Sequence, residues 1–227
     1  MPIEERSFAT IKAAACALAE DLASTLNEAI SARGQGTLAV SGGRTPRYVF
    51  ELLRELGVDW SRVTLTLTDE RWVPPEHLES NEHLVRSCLL QGPPASATFV
   101  PLYGGEDSPV AGQTACEARL RKIEMPFDGM YLGMGSDGHF ASLFPGDNAV
   151  NGREGRCIVV PASEFHGPRM SLTFPTIMNA RKVFLLFSGA DKQAMYLKAR
   201  KAGATKDIPL SLLLSQTKAM IRVLSAP

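Results

Sequence analysis

Apolar residues recur along this chain in two rhythms, and the rhythms alternate. Between 7 and 32, Ile11, Ala15, Leu18, Leu22, Leu26 and Ile30 fall three or four apart, which predicts a helix with one buried stripe. Gly34 and Gly36 end it, and 37–40 predicts a short strand. A second helical stripe follows at Val49, Phe50, Leu53 and Leu56, with Thr45 as the expected N-cap and Pro46 as the first helical residue. Residues 63–67 alternate as a strand does, and Ser80 is placed to cap a helix carrying Leu84, Val85, Cys88 and Leu89. A strand is expected at 98–102, then a helix opened by Ser108 and Pro109 and running to about 123. Met130, Tyr131 and Leu132 form a buried strand. Short β runs follow at 157–160 and 170–173, a helical turn at 175–178, and an apolar strand at 183–187 that enters a helix bearing Met195 and Leu197. Segments 208–214 and 220–224 complete the pattern. Alternation of this kind predicts an α/β fold, a mainly parallel twisted sheet flanked by helices on both faces. No repeat, low-complexity tract or linker interrupts it, so residues 1–227 are expected to form a single domain.

Composition narrows the partners. Lys+Arg and Asp+Glu are both 24, so the formal net charge is zero, which argues against nucleic acid as the main partner. A small anion remains compatible, because local charge decides its binding. The four cysteines include no CxxC pair. Cys16, Cys88 and Cys116 fall on apolar faces of expected helices and read as buried free thiols in a reducing compartment, not as zinc ligands. Glu4 and Glu5 stand where a signal peptide carries positive charge, and Lys12, Glu20 and Asp21 interrupt the Ala-rich run that follows. No apolar run approaches the roughly 20 residues of a membrane span. No membrane association and a cytoplasmic location are expected.

Candidate chemistry collects at the ends of the expected strands. Ser41-Gly42-Gly43-Arg44-Thr45-Pro46 joins a strand to a helix. Glycines there let backbone N–H groups converge at the positive end of the helix, which suits a phosphate. A tight turn with nothing bound is the plainer alternative, and Arg44 and Arg47 favour the anion. The loop is not a Walker A motif, since no Gly-Lys-Ser/Thr follows. Asp69, Glu70 and Arg71 end the next strand. Charges there are costly unless paired or used, so Arg71 either pairs with Asp69 or Glu70 or serves as a second anion ligand. His77 and His83, six apart, have no metal-ligand spacing and read as surface residues.

The richest stretch is 128–146, DGMYLGMGSDGHFASLFPG. Its buried strand breaks into Gly133, Gly135 and Gly138 around Asp137 and His139. The glycine spacing matches a dinucleotide fingerprint, but Pro145 interrupts the long helix that fingerprint needs. No GxSxG elbow supplies a serine nucleophile. His139 is left as a general base, with Asp137 orienting it or acting beside it. The ends at 41–46, 69–71 and 188–192 bring polar groups to the same sheet edge, with Arg169 and Lys192 as further cations. Together they describe a site for a small phosphorylated molecule.

These blocks, in this order, resemble the 6-phosphogluconolactonases. Ser-Gly-Gly-x-Thr-Pro at 41–46 resembles the family's phosphate loop. Asp69-Glu70-Arg71 with Val73-Pro74 and Ser80-Asn81 is similar to its second block. Gly133-Met134-Gly135-x-Asp137-Gly138-His139 with 141–146 is the most specific. Arg169-x-Ser171-Leu172-Thr173 and Gly189-Ala190-Asp191-Lys192 resemble the C-terminal ones. The resemblance implies an α/β fold shared with sugar-phosphate deaminases and isomerases. It implies hydrolysis of 6-phosphogluconolactone to 6-phosphogluconate in the oxidative pentose phosphate pathway, with no cofactor and no metal. His139 would deprotonate the attacking water. Gly42, Gly43, Arg44, Thr45, Asp69, Arg71 and Lys192 would form the substrate and phosphate site, with Arg169 on phosphate or oxyanion. Arg44 stands where the family commonly has Ser, and Phe140 where Thr is common. Two rivals share the fold. A glucosamine-6-phosphate deaminase would partner the histidine with an acid, where this chain has Leu143-Phe144-Pro145. A non-catalytic sugar-phosphate sensor would keep the 41–46 loop, need not keep His139, and is expected beside a DNA-binding segment.

Overall fold

All six residues of Phe127–Leu132 are buried, which a strand achieves only when both faces of its sheet are covered. The computed structural model describes residues 3–152 and 154–227. Its strands are β1 (Ile3–Ser7), β2 (Gly36–Val40), β3 (Val63–Leu67), β4 (Asp69–Arg71), β5 (Thr98–Val100), β6 (Phe127–Leu132), β7 (Cys157–Val160), β8 (Arg169–Leu172), β9 (Ala180–Ser188) and β10 (Met220–Ala226). The helices are α1 (Ile11–Arg33), α2 (Arg44–Leu53), α3 (Asn81–Cys88), α4 (Pro109–Leu120), α5 (Phe174–Met178), α6 (Ala190–Ala202) and α7 (Pro209–Ser215).

Seven strands pair in the order β1-β10-β9-β6-β2-β3-β5, and every pairing is parallel. The expected mainly parallel sheet is therefore present. Side-chain alternation divides its faces. Gly129 and Tyr131 point toward α1 and α2: a Cβ at Gly129 would sit 3.1 Å from Leu38 and 3.5 Å from Thr25 of α1. Tyr131 meets Phe50 of α2 edge-on, with ring centres 6.4 Å apart. On the opposite face Phe187 of β9 packs against Tyr196 of α6 at 5.3 Å. The main core lies in these two layers.

Four local expectations are corrected. The chain opens with a strand, β1, before the first helix. Its Glu4, Glu5 and Arg6 are tolerated because β1 is an edge strand, paired only with β10. The helix then starts at Ile11, capped by the Thr10 hydroxyl, which accepts from the Ala13 amide at 3.1 Å. The second helix starts one residue before Thr45, because Gly43 turns the chain at φ 113° and serves as N-cap. β4, β7 and β8 leave the main sheet and pair antiparallel as β4-β8-β7. Cys16 is exposed, whereas Cys88, Cys116 and Cys157 are buried free thiols. Among the described residues no helix is long and apolar enough to cross a membrane.

Phe184 in β9 is wholly buried. Phe184→Ala is expected to lower the unfolding free energy by about 3–5 kcal/mol, as truncation of a large core side chain does. Urea denaturation measures it, and a loss below about 1 kcal/mol would show that the core does not depend on this layer.

Candidate active site

Parallel strands deliver their carboxyl ends to one edge, where the loop after β2, the turn after β6 and the start of α6 meet, with β4 and β8 of the smaller sheet beside them. After β2, the Ser41 amide donates to the Tyr131 carbonyl at 3.1 Å and its hydroxyl pairs with that of Thr68 at 2.8 Å. These bonds pin the loop before Gly43 swings it into α2. Among the described residues no side chain caps α2, so its first amides face the cavity with the helix dipole behind them.

At the end of β6 the chain closes a tight turn, with the Gly135 amide donating to the His139 carbonyl at 2.9 Å. Asp137 Oδ1 accepts from the His139 amide at 3.1 Å and lies 2.7 Å from Nδ1 of its ring. Burial pushes the Asp137 carboxyl up, but the hydrogen bonds and charge of His139 outweigh it and hold it below the usual range. An ionised Asp137 only accepts, so Nδ1 carries the proton and Nε2 is the basic nitrogen. Gly135 makes room for this pair: a Cβ there would lie 2.3 Å from His139 Nδ1.

β4 supplies Asp69, Glu70 and Arg71, and of the two alternatives for Arg71 the pairing with Asp69 or Glu70 is not the one formed. Asp69 accepts from the Ser142 hydroxyl at 2.6 Å and stands 3.7 Å from Arg169 Nη1. The Glu70 carboxylate turns to α3, accepting from the Ser80 hydroxyl at 3.0 Å and from the Asn81 and Glu82 amides at 2.8 Å each. The guanidinium of Arg71 pairs with neither acid. It donates to the Glu79 carbonyl and, at 3.2 Å, to Asn81 Oδ1.

These segments surround a cavity of about 400 Å³. Arg44, Arg71, Arg169 and Lys192 line it, and Asp69 is its one carboxylate among the described residues. Burial depresses Lys192, and the nearby charge of Arg44 adds to this. Burial also depresses Arg169, with Asp69 opposing and Arg71 reinforcing the shift. Three buried polar atoms of cavity-lining residues, Tyr131 Oη, Arg71 Nε and Arg169 Nε, have no hydrogen-bond partner among the described residues. Phe144 does not line the cavity but packs against two residues that do. Its ring lies 4.5 Å from that of His139, stacks on His166 at 4.2 Å, and carries the Arg169 guanidinium at 5.4 Å. Among the described residues no three His, Cys, Asp or Glu side chains cluster as metal ligands.

The model of the glucosamine-6-phosphate isomerases/6-phosphogluconolactonase family matches residues 9–221. The chain belongs to this family. A 6-phosphogluconolactonase of Rhizobium meliloti is 37% identical over 97% of each chain. One of Caulobacter vibrioides is 34% identical over 99% of this chain and 98% of its own. The crystal structure of a 6-phosphogluconolactonase from Shewanella baltica superposes with a TM-score of 0.94 at 35% identity, over 100% of this chain and 98% of that one. A monomeric glucosamine-6-phosphate deaminase shares the fold at a TM-score of 0.82 and 18% identity.

Of the expected site residues, Gly42, Gly43, Arg44, Thr45, Asp69, Arg71, His139, Arg169 and Lys192 all line the one cavity. Asp137 stands behind His139. Arg47 is exposed on α2 and does not line it, and Phe140 is buried away from it against Phe174. His77 is exposed and His83 half-buried. Sequence reasoning did not place Asn81 and Tyr131 in the site. Asn81 had a local signal, a polar residue straight after a helix cap, while Tyr131 is placed by tertiary contact.

Glu70 provides a pH test of the α3 anchor. Burial pushes its carboxyl from an ordinary 4.5 up to about 7, against the opposing bonds of Asn81, Glu82, Ser80 and Arg71. The folded protein then keeps a proton that the unfolded chain has released, so this stabilisation is full below the unfolded value and is lost as pH rises through about 7. Urea unfolding is expected to show a decline of about 3 kcal/mol from this group across that window, flattened in Glu70→Gln. Equal slopes in the two proteins would remove Glu70 as the source.

Proposed function

We propose that this chain hydrolyses 6-phospho-D-glucono-1,5-lactone to 6-phosphogluconate, the lactonase step of the oxidative pentose phosphate pathway. One observation carries this: an Asp137-oriented imidazole opens onto a cavity lined by four cations. A phosphate monoester brings about two negative charges, which suits that lining. A δ-lactone is a reactive ester, so a positioned base and a stabilised oxyanion suffice. The family membership and the lactonase relatives support the same reading.

In this mechanism His139 Nε2 takes a proton from water as its oxygen attacks C1. The carbonyl electrons move onto the exocyclic oxygen, and Arg169, beside Phe144 and His139, faces that oxyanion. Collapse breaks the bond from C1 to the ring oxygen, which takes the proton back from His139 and becomes the C5 hydroxyl. The 42–45 backbone, Arg44, Arg71 and Lys192 hold the 6-phosphate, and Asp69 keeps Arg169 in place. Residues 1–227 act as one domain. The cytoplasm is the proposed location, and free thiols suit its reducing conditions. The substrate is a small sugar phosphate, and a formal net charge of zero fits no polyanionic nucleic acid.

His139→Ala is expected to lower kcat by about 10²–10⁴-fold, with 6-phosphogluconate binding retained. Asp137→Asn should cost less, because the imidazole remains. Hydrolysis is followed against the spontaneous rate. An unchanged rate in His139→Ala would remove the proposed base, and robust ammonia release from glucosamine 6-phosphate by the wild-type chain would replace the lactonase assignment.

A further inference from the structure

The glycine at 42 does something other than turn the chain. Its φ is not in the left-handed region, whereas that of Gly43 is. A Cβ at 42 would fall 1.8 Å from Asn81 Oδ1 and 2.2 Å from Asn81 Cγ. Gly42 is thus the floor on which the Asn81 carboxamide rests. Asn81 is 2% exposed, and each of its polar groups is engaged. Its amide donates to Glu70 at 2.8 Å, Nδ2 donates to the Asp69 carbonyl at 2.8 Å, and Oδ1 accepts from Arg71 Nη1 at 3.2 Å. The donor to a carbonyl and the acceptor from a guanidinium fix which way the amide points. One side chain therefore touches the anion loop after β2, the start of β4 and the guanidinium of Arg71.

We propose that Asn81 is a positioning residue for substrate binding, setting the 41–46 loop and Arg71 at a fixed separation so that both engage one phosphate. This rests on the phosphate-binding reading of the cavity. A residue that merely begins α3 would affect stability when replaced. A residue that spaces two anion ligands weakens binding while leaving the base and the chemistry alone, and its loss makes the glycine at 42 dispensable.

The test is a double-mutant cycle on the full chain, read by lactone turnover and by calorimetric titration with 6-phosphogluconate. Asn81→Ala is expected to raise KM and the 6-phosphogluconate Kd about tenfold, with kcat within about threefold of wild type. Gly42→Ala, which pushes the carboxamide out, should do the same. In the Asn81→Ala background the two severe clashes are gone and only the retained Cβ, 3.0 Å from the added methyl, must give by a few tenths of an ångström, so Gly42→Ala should change KM by less than about twofold further. An unchanged KM and Kd in Asn81→Ala would overturn the proposal. So would single effects that multiply to about a hundredfold in the double variant. If Asn81→Ala does not fold, Gly42→Ala decides alone, and an unchanged KM and Kd there also overturns it. Because the titration does not depend on turnover, a wild-type chain that binds 6-phosphogluconate without hydrolysing the lactone would sink the proposed activity and leave the spacing role standing.

Discussion

Unbalanced positive charge held partly out of water is the constraint on which the rest of this site depends. Arg44, Arg71, Arg169 and Lys192 face one cavity with Asp69 as their one lining carboxylate among the described residues. Burial depresses both Lys192 and Arg169; Arg44 adds to the first shift, while Asp69 opposes the second more than Arg71 reinforces it. Such an arrangement is costly in the free protein. In the proposed reaction an arriving phosphate supplies the missing charge, so the cost becomes selectivity for an anionic substrate. The Nε atoms of Arg71 and Arg169, without a hydrogen-bond partner among the described residues, belong to the same pattern of polar groups left unmatched.

The fold meets that constraint by close backbone approach. Gly129 lets α1 settle on the sheet, Gly42 admits the Asn81 carboxamide, and Gly135 admits the His139–Asp137 pair. None of the three has a left-handed φ; each is small because something must pass next to it. Glu70, fully buried, ties β4 to the start of α3 and thereby holds Asn81 where Gly42 receives it. A binding loop, a strand end and a helix terminus thus form one rigid unit around the cavity.

Much of this was legible in the residues. The alternation of strand and helix gave the parallel sheet, because two-sided burial demands apolar runs such as Met130-Tyr131-Leu132. His139 stood out through its glycine-rich setting, and the strand-end cations through their position. What escaped depended on tertiary context. β1 is charged because only one neighbour covers it. The partner of Asp69 is Arg169, one hundred positions on, while Arg71, two residues away, turns to α3. Cys16 looked apolar by its spacing on α1, yet it lies on the exposed face. Phe144 counts in the sequence only as part of the Leu143-Phe144-Pro145 stretch that replaces the deaminase acid, and its packing against His139, His166 and Arg169 is set by the fold.

Comparing kcat/KM for 6-phosphogluconolactone with that for the unphosphorylated glucono-1,5-lactone tests most directly whether these cations select the substrate. Two or more charge-assisted contacts to the phosphate predict a preference of at least about a hundredfold. Equal efficiency toward both lactones would contradict an anion-selecting site, whatever the role of His139.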